Sequence, residues 1–381
     1  MIHFPSKQPQ VQTTIFTKMS QLALDEGAFN LSQGFPGFDC SEELQELLKF
    51  YSKGHNQYAP MAGVPVLRQS IAAKTSNFYG IDTDANTEVT VVSGATEALF
   101  AAIHCCVSPG DEVIMFDPSY DAYDPIVRLA GGVPVHISLK AEEDFRINWE
   151  ELAAKITDKT RAIMVNTPHN PTGSVWAMED LHAFADVVKG TNILIVSDEV
   201  YEHIVFDGAQ HASVLLHPEL RKRSFVCGSF GKTYHITGWK MGYCLAPAYL
   251  TSEFRKLHQW VIFSSATPLQ HALADYLKTP AHYVGLSDFY QQKRDLFASF
   301  FTDSRWKILP SKGSFFQCLD YSAISDEKDV DLAVRLTKEL KVASIPVSVF
   351  YETAPADRIL RFCFAKNDDM LQEAAQRLAR L

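Results

Sequence analysis

The chain has 381 residues, 46% of them hydrophobic and 21% charged, with a formal net charge of −10. That length exceeds one ordinary domain and can bury a large core, so a main domain with a smaller companion is expected. The acidic balance opposes nucleic-acid binding, with no basic run to offset it, and no apolar run is long enough to cross a membrane.

The first informative element is Glu88-Val-Thr-Val-Val-Ser93, an apolar run that predicts a buried strand. Gly94-Ala95-Thr96-Glu97 then opens an amphipathic helix, Ala98-Leu-Phe-Ala-Ala-Ile103. Small residues at such a start leave backbone N–H groups and the positive dipole end free for an anion. Arg161-Ala-Ile-Met-Val-Asn166 is a second strand, and Thr167-Pro-His-Asn170-Pro-Thr-Gly173 after it is turn chemistry. Asn192-Ile-Leu-Ile-Val-Ser-Asp198 is a third, closing on a carboxylate with the phenol of Tyr201 three residues on. Taken alone, an aspartate at a strand end is more often a cap or turn residue.

Ser224-Phe-Val-Cys227 is a fourth strand, and it places Lys232 on a loop at its C-terminal end, where open α/β sheets hold ligands. Ser229 stands three residues before this lysine and Lys240 eight after it, an amine nucleophile beside an anion site. Pyridoxal phosphate needs that pair, an amine to condense with its aldehyde and a cradle for its phosphate. A P-loop is excluded because Val226 stands where its first glycine belongs. The serine acyl-enzyme pattern Ser-x-x-Lys lacks its Ser-Asp-Asn and Lys-Thr-Gly companions. Near the end, Ile359-Leu-Arg361-Phe-Cys-Phe364 puts a guanidinium in an apolar strand, where it can fork onto a carboxylate. Strands alternating with helical patterns from about Glu88 to Leu245 predict an α/β fold with a largely parallel sheet and right-handed crossovers. No His/Cys cluster has metal-ligand spacing, so no metal is expected.

Asn170-Pro-Thr-Gly, Asp198-x-x-Tyr201, Ser229-x-x-Lys232 and Arg361-Phe-Cys-Phe, in this order, resemble the class I and II aminotransferases of the fold-type I pyridoxal phosphate enzymes. The resemblance runs from about Asn30 to Lys366. Gln33-Gly34-Phe-Pro36, Asn56-Gln-Tyr58, Gly238-Trp-Lys240 and Ile345-Pro-Val-Ser348 resemble the branch that holds bacterial methionine aminotransferases and the kynurenine or glutamine transaminases. It implies a large cofactor domain over 43–286, with a mainly parallel central sheet flanked by helices, and a smaller α+β domain from 1–42 and 287–381.

The same resemblance assigns roles. Lys232 would carry pyridoxal phosphate and move the proton, Asp198 would pair with the ring nitrogen, Tyr201 and Asn170 would bond the ring's phenolate oxygen, and Tyr120 would stack on the ring. The phosphate falls to Gly94, Ala95, Thr96, Ser229 and Lys240, with Tyr58 of the partner subunit completing it in a homodimer that shares its active sites. Many relatives have arginine where Lys240 stands; a lysine still neutralises phosphate, as a point charge without the fork. Arg361, with Asn170 and Gly34, would bind the substrate, and Phe16, Phe263 and Phe350 would line its side-chain pocket.

The expected activity is transfer of an amino group from an apolar, sulfur-containing or aromatic amino acid, methionine favoured, to a 2-oxo acid. No second arginine marks a clamp for a side-chain carboxylate, so aspartate is expected to be a poor donor. A C–S β-lyase acting on cysteine conjugates would share every residue named, and a ligand-sensing protein that lost the chemistry is the third reading. Seven cysteines without a Cys-x-x-Cys pairing, and a start without an apolar signal core, lead to the expectation of a cytoplasmic protein.

Overall fold

The computed structural model describes residues 5–9 and 11–381. The apolar runs form a seven-stranded sheet: β1 (Val89–Val92), β2 (Glu112–Asp117), β3 (Val133–Ser138), β4 (Thr160–Asn166), β5 (Leu194–Asp198), β6 (Ser224–Ser229) and β7 (Gly242–Leu245). Its order is β1-β7-β6-β5-β4-β2-β3. Neighbours are parallel except at β7, which is antiparallel to both β1 and β6. The connection from β6 stays at the edge where β6 ends, so β7 starts there, Gly242 opposite Ser229, and runs back.

This topology brings the C-terminal ends of β1, β4, β5 and β6 to the edge where β7 begins. Asn166 lies opposite Asp198, and Asp198 opposite Cys227, so three strands end side by side. Successive side chains point to opposite faces, and here both faces are covered. Val113 and Met115 join one core with Ala98, Ala102 and Phe254, while Ile114 and Phe116 join the other with Ile163 and Val165. Each such fully buried aliphatic or aromatic side chain stabilises the fold by about 1.5–3 kcal/mol. Two-sided burial is also why the strands read as unbroken apolar runs.

A second, antiparallel sheet holds β8 (Lys307–Ile308), β9 (Phe316–Asp320), β10 (Ile345–Pro346) and β11 (Ile359–Cys363) in the order β10-β11-β9-β8. Arg361 sits mid-strand in β11, opposite Cys318 on β9 and Ile345 on β10. Phe29–Asn30 pairs in parallel with Val342–Ala343, and the helix Ile15–Asp25 packs on that pair. No described helix is long and apolar enough to cross a membrane.

Candidate active site

The sequence places Lys232 on a loop; the structure gives it a turn of helix, Phe230–Thr233, starting directly where β6 ends. Ser229 caps that turn, its hydroxyl accepting from the Lys232 backbone N–H at 3.4 Å. The Lys232 Nζ donates to the Gly34 carbonyl at 2.8 Å and lies 5.4 Å from the Phe315 ring centre and 5.7 Å from that of Tyr201. Burial lowers the amine to about 8, with the charges of Arg361 and Lys240 pushing the same way and Asp198 opposing.

Asp198 closes β5. The Tyr123 hydroxyl donates to its Oδ2 at 2.7 Å and the Val200 N–H to its Oδ1 at 3.3 Å. Burial raises this carboxyl to about 6, against those two bonds and the charge of Lys232. Its carbonyl accepts from Asn166 Nδ2 at 2.8 Å, while Asn166 Oδ1 accepts from the Asn170 N–H at 2.7 Å. Asn166 thereby ties the Asn170 loop to the end of β5. Tyr201, on the turn after Asp198, packs edge-on to Phe315 at 5.0 Å, and its hydroxyl bonds to no described residue. Tyr120 meets Tyr123 edge-on at 5.7 Å, and burial pushes its phenol up to about 12.

The helix Ala95–Cys106 starts at the same edge. Its N-cap, Gly94, has φ 76 and offers no side-chain cap, which leaves the Ala95 and Thr96 amides without an acceptor among the described residues. A Cβ at Gly94 would stand 3.4 Å from the Lys240 Nζ, so the glycine keeps that approach open. Lys240, itself at φ 53, makes no ion pair with a described carboxylate. One cavity of about 180 Å³ is lined by Gly94, Ala95, Thr96, Tyr120, Asn170, Asp198, Tyr201, Ser229, Lys232 and Lys240. It adds Tyr123, Asn166, Thr237 and Met241, which sequence reading did not single out. Tyr123 lies three residues beyond Tyr120, at the start of the helix Tyr123–Leu129.

Arg361 is fully buried. Its Nη1 donates to Asn170 Oδ1 at 2.8 Å and its Nη2 to the Ser32 carbonyl at 2.6 Å, while Nε has no partner. No described carboxylate comes within 4.0 Å of it. Its guanidinium lies over Phe316 at 4.0 Å, Phe16 at 5.2 Å and Phe350 at 5.7 Å. A buried cation without a counterion is costly unless something negative comes to it. Gly34 belongs to this platform, because a Cβ there would meet the Phe316 ring at 2.8 Å. Tyr58 and Phe263 do not reach the cavity of their own chain. Tyr58 is 86% exposed and packs edge-on to Phe263 at 5.4 Å. Phe263, at φ 66, lies just after the helix Ala248–Val261 and is 43% exposed.

The cavity thus joins a half-buried amine, a buried carboxylate and an anion cradle, and Asn170 on its wall is bonded to a buried guanidinium with no counterion among the described residues. The family model for aminotransferase class I and II matches residues 26–378. Methionine aminotransferase of Escherichia coli (strain K12) is 51% identical, over 99% of this chain and 98% of that protein. Kynurenine–oxoglutarate transaminase of Dictyostelium discoideum is 36% identical, over 99% of this chain and 96% of its own length. A solved Escherichia coli structure, described with a methionine aminotransferase function, superposes with a TM-score of 0.98 at 50% identity and covers 100% of both chains. The matched span takes in every strand end and every side chain that builds the cavity, and the chain belongs to the class I and II aminotransferases.

Proposed function

We propose that the chain moves the amino group of methionine or an aromatic amino acid to a 2-oxo acid, with pyridoxal phosphate held at the C-terminal edge of the central sheet. Class I and II aminotransferases depend on that cofactor. When bound it supplies an aldehyde that takes up the amino group and a ring that disperses the electrons released at Cα. The residues fit it. Free Ala95 and Thr96 amides beside Lys240 and Ser229 suit its phosphate, the unbonded Tyr201 hydroxyl and Asn170 suit its ring oxygen, and Tyr120 suits its ring face.

The single observation that carries the reading is Arg361, buried and without a counterion, in reach of Asn170 on the cavity wall. Arg361 would bind the α-carboxylate and so place Cα near the Lys232 amine. Lys232 would then hold and move the Cα proton, which an amine lowered to about 8 does near neutral pH. Asp198, ionised against a cation, would keep the ring nitrogen protonated. Phe16, Phe316 and Phe350 around Arg361 reward an apolar or thioether side chain. The similarity to Escherichia coli methionine aminotransferase supports the same donor.

Comparing kcat/KM for methionine, phenylalanine, kynurenine and aspartate with one common 2-oxo acid tests the donor class. Methionine and the aromatics should exceed aspartate by roughly tenfold or more, the cost of leaving a buried carboxylate unpaired. Aspartate as the best donor would overturn it.

The proposal includes a homodimer. Tyr58, Trp260 and Phe263 are 86%, 81% and 43% exposed, an apolar surface that a second copy would cover. Tyr58 of the partner subunit would then complete the phosphate site. Residues 43–286 would act as the cofactor unit, with 1–42 and 287–381 as the smaller unit that brings Arg361 to it. All seven cysteines are free, which supports a cytoplasmic setting.

A further inference from the structure

Beside the cavity that holds Lys232 lies a second one, of about 310 Å³, and Tyr120 lines both. Ile15, Tyr120 and Phe350 form its apolar wall, and the same Phe350 ring lies against the Arg361 guanidinium. The remaining wall carries Asp117, Asp121, Asp124, His136 and Glu352, four carboxylates against one imidazole. That imidazole is already engaged. His136 Nδ1 bonds both oxygens of Asp117 at 2.9 Å, and its Nε2 reaches Asp124 at 3.3 Å. Burial works against its charge, but these bonds outweigh that and hold the ring at about 9. Arg128 takes up Asp124 as well, at 2.7 Å. Asp124, His136 and Glu352 do bring ligand atoms within 4.8 Å of one another, yet a protonated ring offers a metal no lone pair.

Asp121 is different. No described side chain bonds to its carboxylate or pairs with it. Burial raises its pKa, and the charge of Arg361 opposes that rise. Its own charge in turn helps raise the Tyr120 phenol. Asp121 lines the second cavity together with Tyr120, which also lines the first, and Phe350, whose ring lies against Arg361.

We propose that Asp121 is a specificity-determining residue that screens the donor's side chain by charge, admitting neutral and cationic side chains and repelling acidic ones. The inference rests on the proposed donor class and gives it a cause. Arg361 would take the α-carboxylate, and a second carboxylate would then face Asp121 in a cavity whose one cation is tied to Asp117 and Asp124. Like charges juxtaposed in a partly enclosed site discriminate strongly between partners. Aromatic walls alone would reject glutamine as well as glutamate; a charge rejects only glutamate.

The test uses pairs equal in shape and unlike in charge, on the holoenzyme. Dissociation constants of glutarate and its monoamide, neither of which can be transaminated, are read by calorimetry, and kcat/KM is compared for glutamate and glutamine. The wild type should favour the amide of each pair by roughly tenfold, the effect of one unscreened charge at close range. Asp121→Asn should bring both ratios to within about twofold, and Asp121→Glu, which keeps the charge, should retain the preference. An Asn variant that keeps the wild-type ratios overturns the inference while leaving the donor class intact. A wild type that prefers aspartate to methionine overturns the donor class instead, and with it the reason for the screen.

Discussion

Lys232, half-buried, and Asp198, buried, are groups of opposite sign, each shifted toward the neutral form. The amine is lowered to about 8 and the carboxyl raised to about 6, both mainly by burial. In the cofactor-free protein, reductively methylated with a carbon-13 label, the Lys232 resonance should therefore titrate with a midpoint near 8. The direction follows from desolvation, which disfavours the ammonium; a midpoint in the ordinary lysine range above 10 would contradict it. Asp198→Asn keeps the shape and the Tyr123 bond but loses the charge. Turnover should fall by roughly 10²–10³-fold or more, while the melting temperature of the cofactor-free protein is not lowered, because a raised carboxyl pKa means that ionisation there costs stability. Turnover near that of the wild type would mean that another group protonates the ring.

Among the elements, β6 and β7 carry the tightest constraint. A Cβ at Gly228 would stand 2.2 Å from the Tyr243 ring, and one at Gly242 would stand 2.7 Å from the Gly228 carbonyl. The Tyr243 hydroxyl is bonded to Lys74 at 2.6 Å and to Glu202, in a buried network that does not yield freely. Gly228→Ala should thus destabilise the protein by about 1–3 kcal/mol, the usual cost of overpacking, read as a lowered denaturant midpoint with unchanged slope. Apolar runs made β1, β4, β5 and β6 legible in the sequence, and a charge inside an apolar strand made Arg361 legible. The direction of β7 was not, since it depends on which edge the β6–β7 connection keeps to and not on side-chain period. The single helical turn around Lys232 is too short to show a period. Tyr123 and Ser32 act on Asp198 and Arg361, partners far away in sequence, so their spacing carried no signal, and Asn166 was legible only as the end of its strand.

For the whole molecule, the exposed Tyr58, Trp260 and Phe263 surface predicts a dimer. Light scattering should give twice the 42.7 kDa of one chain. If the partner subunit's Tyr58 serves each phosphate, subunits carrying Lys232→Ala and subunits carrying Tyr58→Ala, each weak alone, should regain activity when mixed and allowed to exchange. In the mixed dimer one site keeps both residues. No gain on mixing would mean that each chain completes its own site.

Every role assigned to the cavity depends on one amine, Lys232, with its helical turn starting where β6 ends. Borohydride reduction of the holoenzyme fixes the cofactor to whichever amine holds it, and peptide mapping then reads the position. The adduct should be found on Lys232; an adduct on Lys240, Lys74 or any other lysine would contradict the assignment.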